Sequence, residues 1–255
     1  MSELKTIRFE TDSRNVATIT LARGKFHNAI NSQMIAELKQ IAELICAESS
    51  VRVCILQSEG NTFCAGGDLT FMQSQMLLEH EKIVEEAHKI TDMLSALDDL
   101  PCPLIAKVQG SAFGGGIGLL SVCDIVIAAN HSKFALKETQ LGLIPATIGP
   151  FLLRRIGEAW ARQYFFSAKT FDVEIAHRMN LVSSIALPEQ MDEFVEKEVT
   201  QILKCQPQAV GEAKAYAKKL ARDPVAISRK YAAEVFAHRL RSDEAKEAIG
   251  EFLIK

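Results

Sequence analysis

The stretch Gln109-Gly110-Ser111-Ala112-Phe113-Gly114-Gly115-Gly116-Ile117-Gly118 is the most informative part of this chain. It follows an apolar run that is typical of a short buried strand, Leu104–Val108, and it precedes a helical pattern, Leu119–Cys123. Three consecutive glycines remove every Cβ from the turn, so a ligand can approach the backbone N–H groups. The helix that begins there directs the positive end of its dipole to the same place. The stretch therefore predicts a site that stabilises negative charge on an oxygen atom.

A second turn of the same kind lies upstream. Val51–Gln57 is predicted to be a strand and Ser58–Thr62 a turn, and Phe63-Cys64-Ala65-Gly66-Gly67-Asp68-Leu69 opens another helical pattern. Two backbone donors that converge on one oxygen form an oxyanion hole, in which the loss of one donor costs about 2.7–4 kcal/mol. Tight packing is the alternative explanation for either turn taken alone.

Three other glycine patterns are not met. A dinucleotide turn, Gly-x-Gly-x-x-Gly, counted from Gly114 fails at Leu119. The sequence also has no Gly-x-x-x-x-Gly-Lys-Ser/Thr run and no Gly-x-Ser-x-Gly run. Neither a nucleotide phosphate nor a nucleophilic serine is therefore predicted at these turns.

Length and charge limit the possible classes of protein. The chain has 255 residues, which suffices for one large domain or for one domain with a small appendage. Its 29 basic and 32 acidic side chains give a net charge of −3, which argues against a nucleic acid partner. Lys214, Lys218 and Lys219 have the helical spacing of a solvated face.

The cysteines and the amino terminus indicate the compartment. None of the six cysteines has Cys-x-x-Cys spacing, so no zinc site is predicted, and several of them have the surroundings of small buried hydrophobic residues. Met1–Lys5 lacks an apolar signal region, and no apolar run is long enough to cross a membrane. We therefore expect a cytosolic protein with reduced thiols and no membrane partner.

The order of predicted elements favours an α/β fold with a largely parallel sheet. Val16–Leu21 has strand composition, Ser32–Cys46 has the apolar spacing of a helix, and a ββα rhythm repeats as far as Ala128. From Gly149 onward the pattern is helical. We place the boundary near Pro188, which divides an α/β core, 1–187, from a helical region, 188–255. The apolar stripes of that region must pack on the core or on another subunit.

Glu138 is the candidate for acid–base chemistry. It is predicted at the end of a short strand within Phe134–Pro145, with apolar residues on both sides. Partial desolvation there would raise its pKa and suit it to proton transfer. A carboxylate at a helix N-terminus or in a salt bridge is the alternative.

Four motifs in this order resemble the crotonase (enoyl-CoA hydratase/isomerase) superfamily: Phe63–Leu69, Gly110–Gly116, Cys123–Ala128 and Phe134–Pro145. Lys25-Phe26-His27-Asn28-Ala29 is similar to the turn that contacts the CoA end in that family. The resemblance implies a crotonase-type spiral of ββα units whose helical carboxyl-terminal region packs at subunit contacts in trimers or dimers of trimers. It also implies an acyl-CoA thioester as substrate, no metal, and no cofactor apart from the CoA of the substrate.

The resemblance also assigns roles to individual residues. By motif position, the N–H groups of Gly67 and Gly115 bind the thioester oxygen, and Glu138 is the general acid and base. The implied CoA contacts are Lys25, the main chain of Ala65, Gly66, Gly67, Asp68 and Leu69, and two residues of the last helix, Phe252 and Lys255.

One position departs from typical hydratases of this family. They carry a second catalytic carboxylate two residues beyond the Gly-Gly-Gly run, where this chain has Gly118. A single carboxylate fits a Δ3,Δ2-enoyl-CoA isomerase. However, Phe113–Leu119 and Leu143–Pro150 resemble the methylglutaconyl-CoA hydratase-like subgroup, which also tends to have glycine there. We expect hydration of a 2-enoyl-CoA of that type, with isomerisation and acyl-CoA binding without turnover as alternatives.

Overall fold

The computed structural model describes residues 4–48, 50–222, 235–238, 242–245 and 247. The strands are β1 (Ile7–Thr11), β2 (Val16–Leu21), β3 (Val53–Ser58), β4 (Thr62–Cys64), β5 (Leu104–Val108), β6 (Ser111–Phe113), β7 (Ile125–Ala129), β8 (Lys133–Ala135), β9 (Phe171–Asp172) and β10 (Ser184–Ala186). The α-helices are α1 (Ser32–Ala47), α2 (Leu69–Gln75), α3 (His80–Asp98), α4 (Gly115–Ser121), α5 (Gly149–Ser167), α6 (Val173–Arg178), α7 (Met191–Leu203) and α8 (Pro207–Arg222).

The strands form two sheets, and from β3 to β8 successive strands alternate between them. The larger sheet has the order β1-β2-β3-β5-β7-β10 and is parallel except for the β1–β2 pair. The smaller sheet has the order β4-β6-β8-β9 and is parallel except for the β8–β9 pair. Each of β3–β4, β5–β6 and β7–β8 adds one strand to each sheet before the next helix. This confirms the predicted α/β spiral of ββα units.

The hydrophobic core lies on both faces of the larger sheet. On one face, α1 buries the apolar stripe that includes Met34, Leu38 and Ile41, and Asn31 caps this helix by accepting a hydrogen bond from the Met34 N–H at 3.0 Å. On the other face, Met191, Val195 and Val199 of α7 pack in a cluster with Val16, Val53, Ile105 and Ile127. The helical region after Pro188 thus packs on the core through α7, while the division into two domains stays a prediction.

The turns that follow β3 and β5 lie against each other. The Gln109 side-chain amide donates hydrogen bonds to Ser58 Oγ and to the Gly60 carbonyl, both at 2.8 Å. A Cβ at Gly110 would overlap the Asn61 carbonyl, whose carbon would be 2.8 Å away. Only glycine allows this approach, and it brings the two glycine-rich segments of the next strands side by side.

The prediction of a solvated lysine face on α8 is wrong for Lys214 and Lys218, whereas Lys219 is exposed. Lys214 Nζ lies 2.7 Å from Asp124 Oδ2 and donates to the Cys102 carbonyl at 3.0 Å. Lys218 Nζ lies 2.9 Å from Asp98 Oδ2 and also contacts Asp99. The two lysine side chains are 9% and 17% exposed, so they fasten α8 to the core rather than facing solvent.

Four of the six cysteines are buried, as expected for small hydrophobic residues: Cys54, Cys64, Cys102 and Cys123. Burial raises the pKa of the Cys64 and Cys123 thiols to about 12 and that of Cys102 to about 11. Cys46 and Cys205 are exposed, and all six thiols are free. Among the described residues, no group of three or more His, Cys, Asp and Glu side chains could hold a metal ion. The helices in this part of the chain are all too short or too polar to span a membrane.

Candidate active site

Gly67 is held in place by a short parallel bridge to the segment that precedes α1. The Ile30 N–H donates to the Gly66 carbonyl at 2.7 Å, and the Asp68 N–H donates to the Ile30 carbonyl at 2.9 Å. These two bonds use the groups on either side of Gly67 and leave its own N–H out of the bridge. The Gly67 N–H is therefore directed away from the partner segment.

Gly115 begins α4 immediately beside this bridge. As the first helical residue, it has an N–H with no partner within the helix. A Cβ at Gly115 would lie 3.8 Å from the Gly67 nitrogen, so the two backbone nitrogens are close neighbours. Gly66, with φ at 95°, could not carry a Cβ without placing it 3.0 Å from the Phe113 carbonyl oxygen. The two glycine turns thus bring two N–H groups to one place.

The carboxylate of Glu138 lies against the same turn. Its Oε1 would be 3.1 Å from a Cβ on Gly114, a residue with φ at 45° whose N–H donates to the Ala135 carbonyl at 3.0 Å. Glu138 is the first residue of a 3-10 helix, Glu138–Leu141, and not part of β8, which ends at Ala135. The prediction that it ends a strand is therefore corrected by three residues.

The Glu138 carboxylate is partly buried, and no ion pair to it is found in the part of the chain that the structure describes. Its Oε2 is buried without a hydrogen-bond partner among the residues that the structure describes. The adjacent Lys137 donates instead to the Ala168 carbonyl at 2.9 Å. Burial raises the pKa of Glu138, because the charged form loses water, and a hydrogen bond from its own backbone N–H offsets this effect only in part. Of the two alternatives to an acid–base group, a salt-bridged glutamate is not found among the described residues, whereas Glu138 does open a 3-10 helix and therefore also fits a carboxylate at a helix N-terminus.

Gly118 faces a wall of apolar side chains. It lies one helical turn beyond Gly114, to whose carbonyl its N–H donates at 3.1 Å, so both positions share one face of α4. A Cβ at Gly118 would overlap Ile148 Cγ2, lie 3.1 Å from Ile148 Cβ and lie 3.8 Å from Leu94 Cδ1. A side chain at the place of the second carboxylate in typical hydratases would therefore fit only if Ile148 moved.

The residues predicted to contact CoA divide into two groups. Lys25 and Leu69 are exposed, the latter to 68%. The Asp68 side chain, in contrast, caps α2 by accepting hydrogen bonds from Thr70 and Phe71, and it pairs with Arg23 Nη2 at 2.9 Å. Partial burial alone would raise the pKa of Asp68, but the hydrogen bonds from Arg23 and from the two backbone N–H groups outweigh it and lower the pKa. The Asp68 main chain is also engaged, because its N–H donates to the Ile30 carbonyl and its carbonyl accepts from the Met72 N–H, both at 2.9 Å.

The main chain of this loop is partly used within the protein. The Ala65 N–H donates to the His27 carbonyl at 2.9 Å, and the Gly66 N–H to Cys64 Sγ at 3.5 Å. Phe252 and Lys255 lie outside the described residues. The structure therefore brings Gly67, Gly115 and Glu138 together and places the 65–69 loop beside them.

Sequence reasoning missed two residues that shape the site. Arg23 supports it by pairing with Asp68, contacting the Ala29 carbonyl and lying 4.8 Å from the centre of the Phe26 ring. Ile148 closes the space at Gly118. Arg23 and Asp68 are 45 residues apart, and no periodic pattern connects contacts of that separation. A basic residue just ahead of the turn Gly24–Phe26 was the one available signal.

Residues 11–255 match the enoyl-CoA hydratase/isomerase family, and the chain belongs to this family. The enoyl-CoA hydratase ACTT6 of Alternaria alternata is 34% identical over 202 residues, which cover 79% of this chain and 66% of that protein. The mitochondrial methylglutaconyl-CoA hydratase of Homo sapiens is 31% identical over 72% of this chain and 54% of its own length. This chain thus spans about two thirds or less of the length of these two relatives.

Solved structures agree over nearly the whole chain. An enoyl-CoA hydratase from Shewanella pealeana has a TM-score of 0.93 and 30% identity, covering 98% of this chain and 94% of that one. AtuE of Pseudomonas aeruginosa has a TM-score of 0.92 and 31% identity, covering 98% and 96%. The predicted family and fold are confirmed, and the named relatives are enzymes. The roles of individual residues stay predictions.

Proposed function

We propose that this protein hydrates a 2-enoyl-CoA thioester of the methylglutaconyl type, with the Gly67 and Gly115 N–H groups as oxyanion hole and Glu138 as general acid and base. The observation that carries the proposal is the enclosed carboxylate of Glu138, which lies against Gly114 beside the free N–H of Gly115. Such a carboxylate can accept and return a proton, and the adjacent donors can hold the charge that develops on oxygen.

The proposed reaction needs one carboxylate and two backbone donors. Hydrogen bonds from Gly67 and Gly115 to the thioester oxygen withdraw electrons from C3. Ionised Glu138 removes a proton from water as the water oxygen bonds to C3, and the electrons of the C2–C3 double bond move toward the thioester oxygen as an enolate. Protonated Glu138 then delivers its proton to C2, which restores the thioester and the ionised glutamate. CoA is part of the substrate, and no further cofactor enters this scheme.

Similarity supports the substrate class. Relatives named enoyl-CoA hydratase, crotonyl-CoA hydratase and methylglutaconyl-CoA hydratase share 29–34% of their aligned residues with this chain. Beyond Glu138, Leu141, Leu143 and Ile144 are 60%, 46% and 72% exposed and offer an apolar surface for an acyl chain or for pantetheine. We place the rest of CoA along the 65–69 loop and Lys25, with Phe252 and Lys255 contributing from the carboxyl terminus.

A Δ3,Δ2-enoyl-CoA isomerase is the second candidate, and the filled space at Gly118 favours it. With Ile148 there, α4 offers no second carboxylate, and a single glutamate is enough to move one proton between C2 and C4. An acyl-CoA-binding protein without turnover is the third candidate, since backbone donors alone suffice for binding.

A panel of enoyl-CoA thioesters separates these candidates. Each thioester, crotonyl-CoA and 3-methylglutaconyl-CoA among them, is incubated with the protein and followed by mass spectrometry and by absorbance of the conjugated thioester. A gain of one water supports the hydratase. A moved double bond at constant mass supports the isomerase, and binding without either change supports the third candidate.

We also propose that the chain assembles as a homotrimer or homohexamer. Phe166 and Leu153 of α5 are 70% and 44% exposed, which is consistent with contacts to another subunit. The helical region 188–255 would supply further apolar surface.

A further inference from the structure

Two buried side-chain oxygens lack a hydrogen-bond partner in the described part of the chain, and they belong to consecutive residues. They are Glu138 Oε2 and Thr139 Oγ1. Buried polar atoms in proteins are almost always paired, with protein groups or with ordered water. The two residues adjoin in one short helix, and a single water molecule within reach of both oxygens would give each the partner that it lacks.

The surroundings leave few other polar groups for this occupant. The face of α4 that carries Gly114 next to Glu138 ends at Gly118, where Ile148 and Leu94 form an apolar wall. Lys137 is directed to the Ala168 carbonyl. Thr139 is therefore the polar side chain nearest to Glu138 in the chain that has a hydrogen-bonding atom to spare.

We propose that Thr139 Oγ1 and Glu138 Oε2 together hold the water molecule that adds to C3, an inference that rests on the hydratase function proposed above. A water in this position donates one hydrogen to Glu138 and the other to the threonine hydroxyl. Its lone pair is then free to face C3. As the O–C3 bond forms, the first O–H bond breaks and its proton passes to Glu138, which later returns it to C2. Thr139 keeps its own proton throughout.

This arrangement makes Thr139 specific to hydration. Proton transfer at C2 needs Glu138 and the two glycine N–H groups, whereas addition of water also needs the water to be oriented. The exchange of C2 protons of a saturated acyl-CoA with D2O reports the first process alone. Hydration of an enoyl-CoA reports both.

The test compares both activities in wild type, Thr139→Val, Thr139→Ser and Glu138→Gln, with butyryl-CoA for exchange and crotonyl-CoA for hydration. We expect Thr139→Val, which replaces the hydroxyl by a methyl group, to lose hydration by at least about tenfold while exchange stays within about twofold. Thr139→Ser restores most of the hydration, and Glu138→Gln loses both activities. Thr11→Val, on the exposed edge strand β1, is the control for loss of a threonine hydroxyl.

Each other result overturns the inference. If Thr139→Val hydrates as fast as wild type, or if exchange falls in parallel with hydration, Thr139 does not hold the water. If Thr139→Val is unfolded by circular dichroism, Thr139→Ala replaces it under the same criteria. If wild type exchanges C2 protons or moves double bonds but never adds water, the hydratase function itself fails and this inference fails with it.

Discussion

Ile148 occupies the space into which a side chain at Gly118 would extend, although the two residues are 30 positions apart in the chain. On the same face of α4, one turn earlier, Gly114 is covered by the Glu138 carboxylate. One helix face therefore has a polar side chain at one end and a hydrocarbon wall at the other. The single substitution Gly118→Glu cannot supply a second carboxylate, because Ile148 has to move first.

Replacement of Gly118 by alanine tests this packing directly. We expect Gly118→Ala to lower the free energy of unfolding by about 1–3 kcal/mol, the usual cost of adding a methyl group to a filled core. Gly149→Ala is the matched control in α5, because a Cβ there would meet only Phe165 at 3.7 Å. Urea denaturation measures the free energy of unfolding of both variants, and equal values for the two would contradict the packing at Gly118.

Substitutions at Gly115 test the oxyanion hole. Gly115→Pro removes the N–H at the first position of α4, where helices accept proline, so we expect a folded protein with turnover reduced by at least about a hundredfold. Gly115→Ala keeps the N–H and adds a Cβ that would lie 3.1 Å from Ile30 Cδ1. Steady-state kinetics with the active thioester compare the two variants. Similar rates for both would remove this N–H from the mechanism.

Glu138→Gln tests the acid–base role. The amide keeps the shape of the side chain but cannot accept a proton, so we expect turnover to fall by about two to four orders of magnitude. Binding of a saturated acyl-CoA, measured by calorimetry, should be unchanged. Full activity of the variant would place the acid–base group elsewhere.

The thermal stability of Glu138→Gln shows whether the variant is folded. The direction of its change relative to wild type follows from the raised pKa of Glu138. Because burial raises the pKa of Glu138 in the folded state, the stability that its neutral form contributes is lost as pH rises through that pKa. At neutral pH the glutamine variant should therefore melt at the same or a higher temperature than wild type. The difference should vanish at acidic pH.

The raised pKa of Glu138 also predicts the pH dependence of turnover. The first step requires the ionised carboxylate, so kcat/KM should fall as pH decreases through a pKa above the ordinary glutamate value of 4.5. A pH–rate profile of wild type from acid to neutral pH measures this limb. An acid limb at or below the ordinary value would show that burial does not control the reacting carboxylate.

Assembly is tested by light scattering at micromolar concentration. We expect a mass of three or six chains, because Leu153 and Phe166, which lie on either side of the break in α5 at Gly157, expose apolar surface. Phe166→Glu, on this surface, should shift the distribution toward smaller species, and Phe26→Glu, near the site, is the control at a second exposed phenylalanine. A monomeric wild type would contradict the proposed assembly.

Periodic elements were predictable from the sequence, because their signal is local. Leu104–Val108 is the strand that its apolar run predicts, and the helix predicted over Ser32–Cys46 is observed over Ser32–Ala47. The strands of the second sheet have only two or three residues, too few for an alternating pattern. This is why Glu138 was assigned to a strand when it opens a 3-10 helix.

Contacts between residues that are far apart in the chain could not be predicted from periodicity. Lys214 and Lys218 have the spacing of a solvated face, yet their partners Asp124 and Asp98 lie 90 and 120 positions earlier in the chain. The glycine turns and Glu138 could be identified from the sequence, because the signal for each lies in the residues immediately around it. The placement of Ile148 against Gly118 depends on how α5 packs on α4, which only the folded chain reveals.

The distribution of thiols governs how this protein responds to oxidants. Thiolates are the reactive form of cysteine, and burial raises the pKa of Cys54, Cys64, Cys102 and Cys123. Only Cys46 and Cys205 are open to solvent, so peroxide or air should leave the interior thiols intact for as long as the chain stays folded. Damage at the interior positions would thus record past unfolding, and covalent dimers formed in storage would be joined through the two surface cysteines.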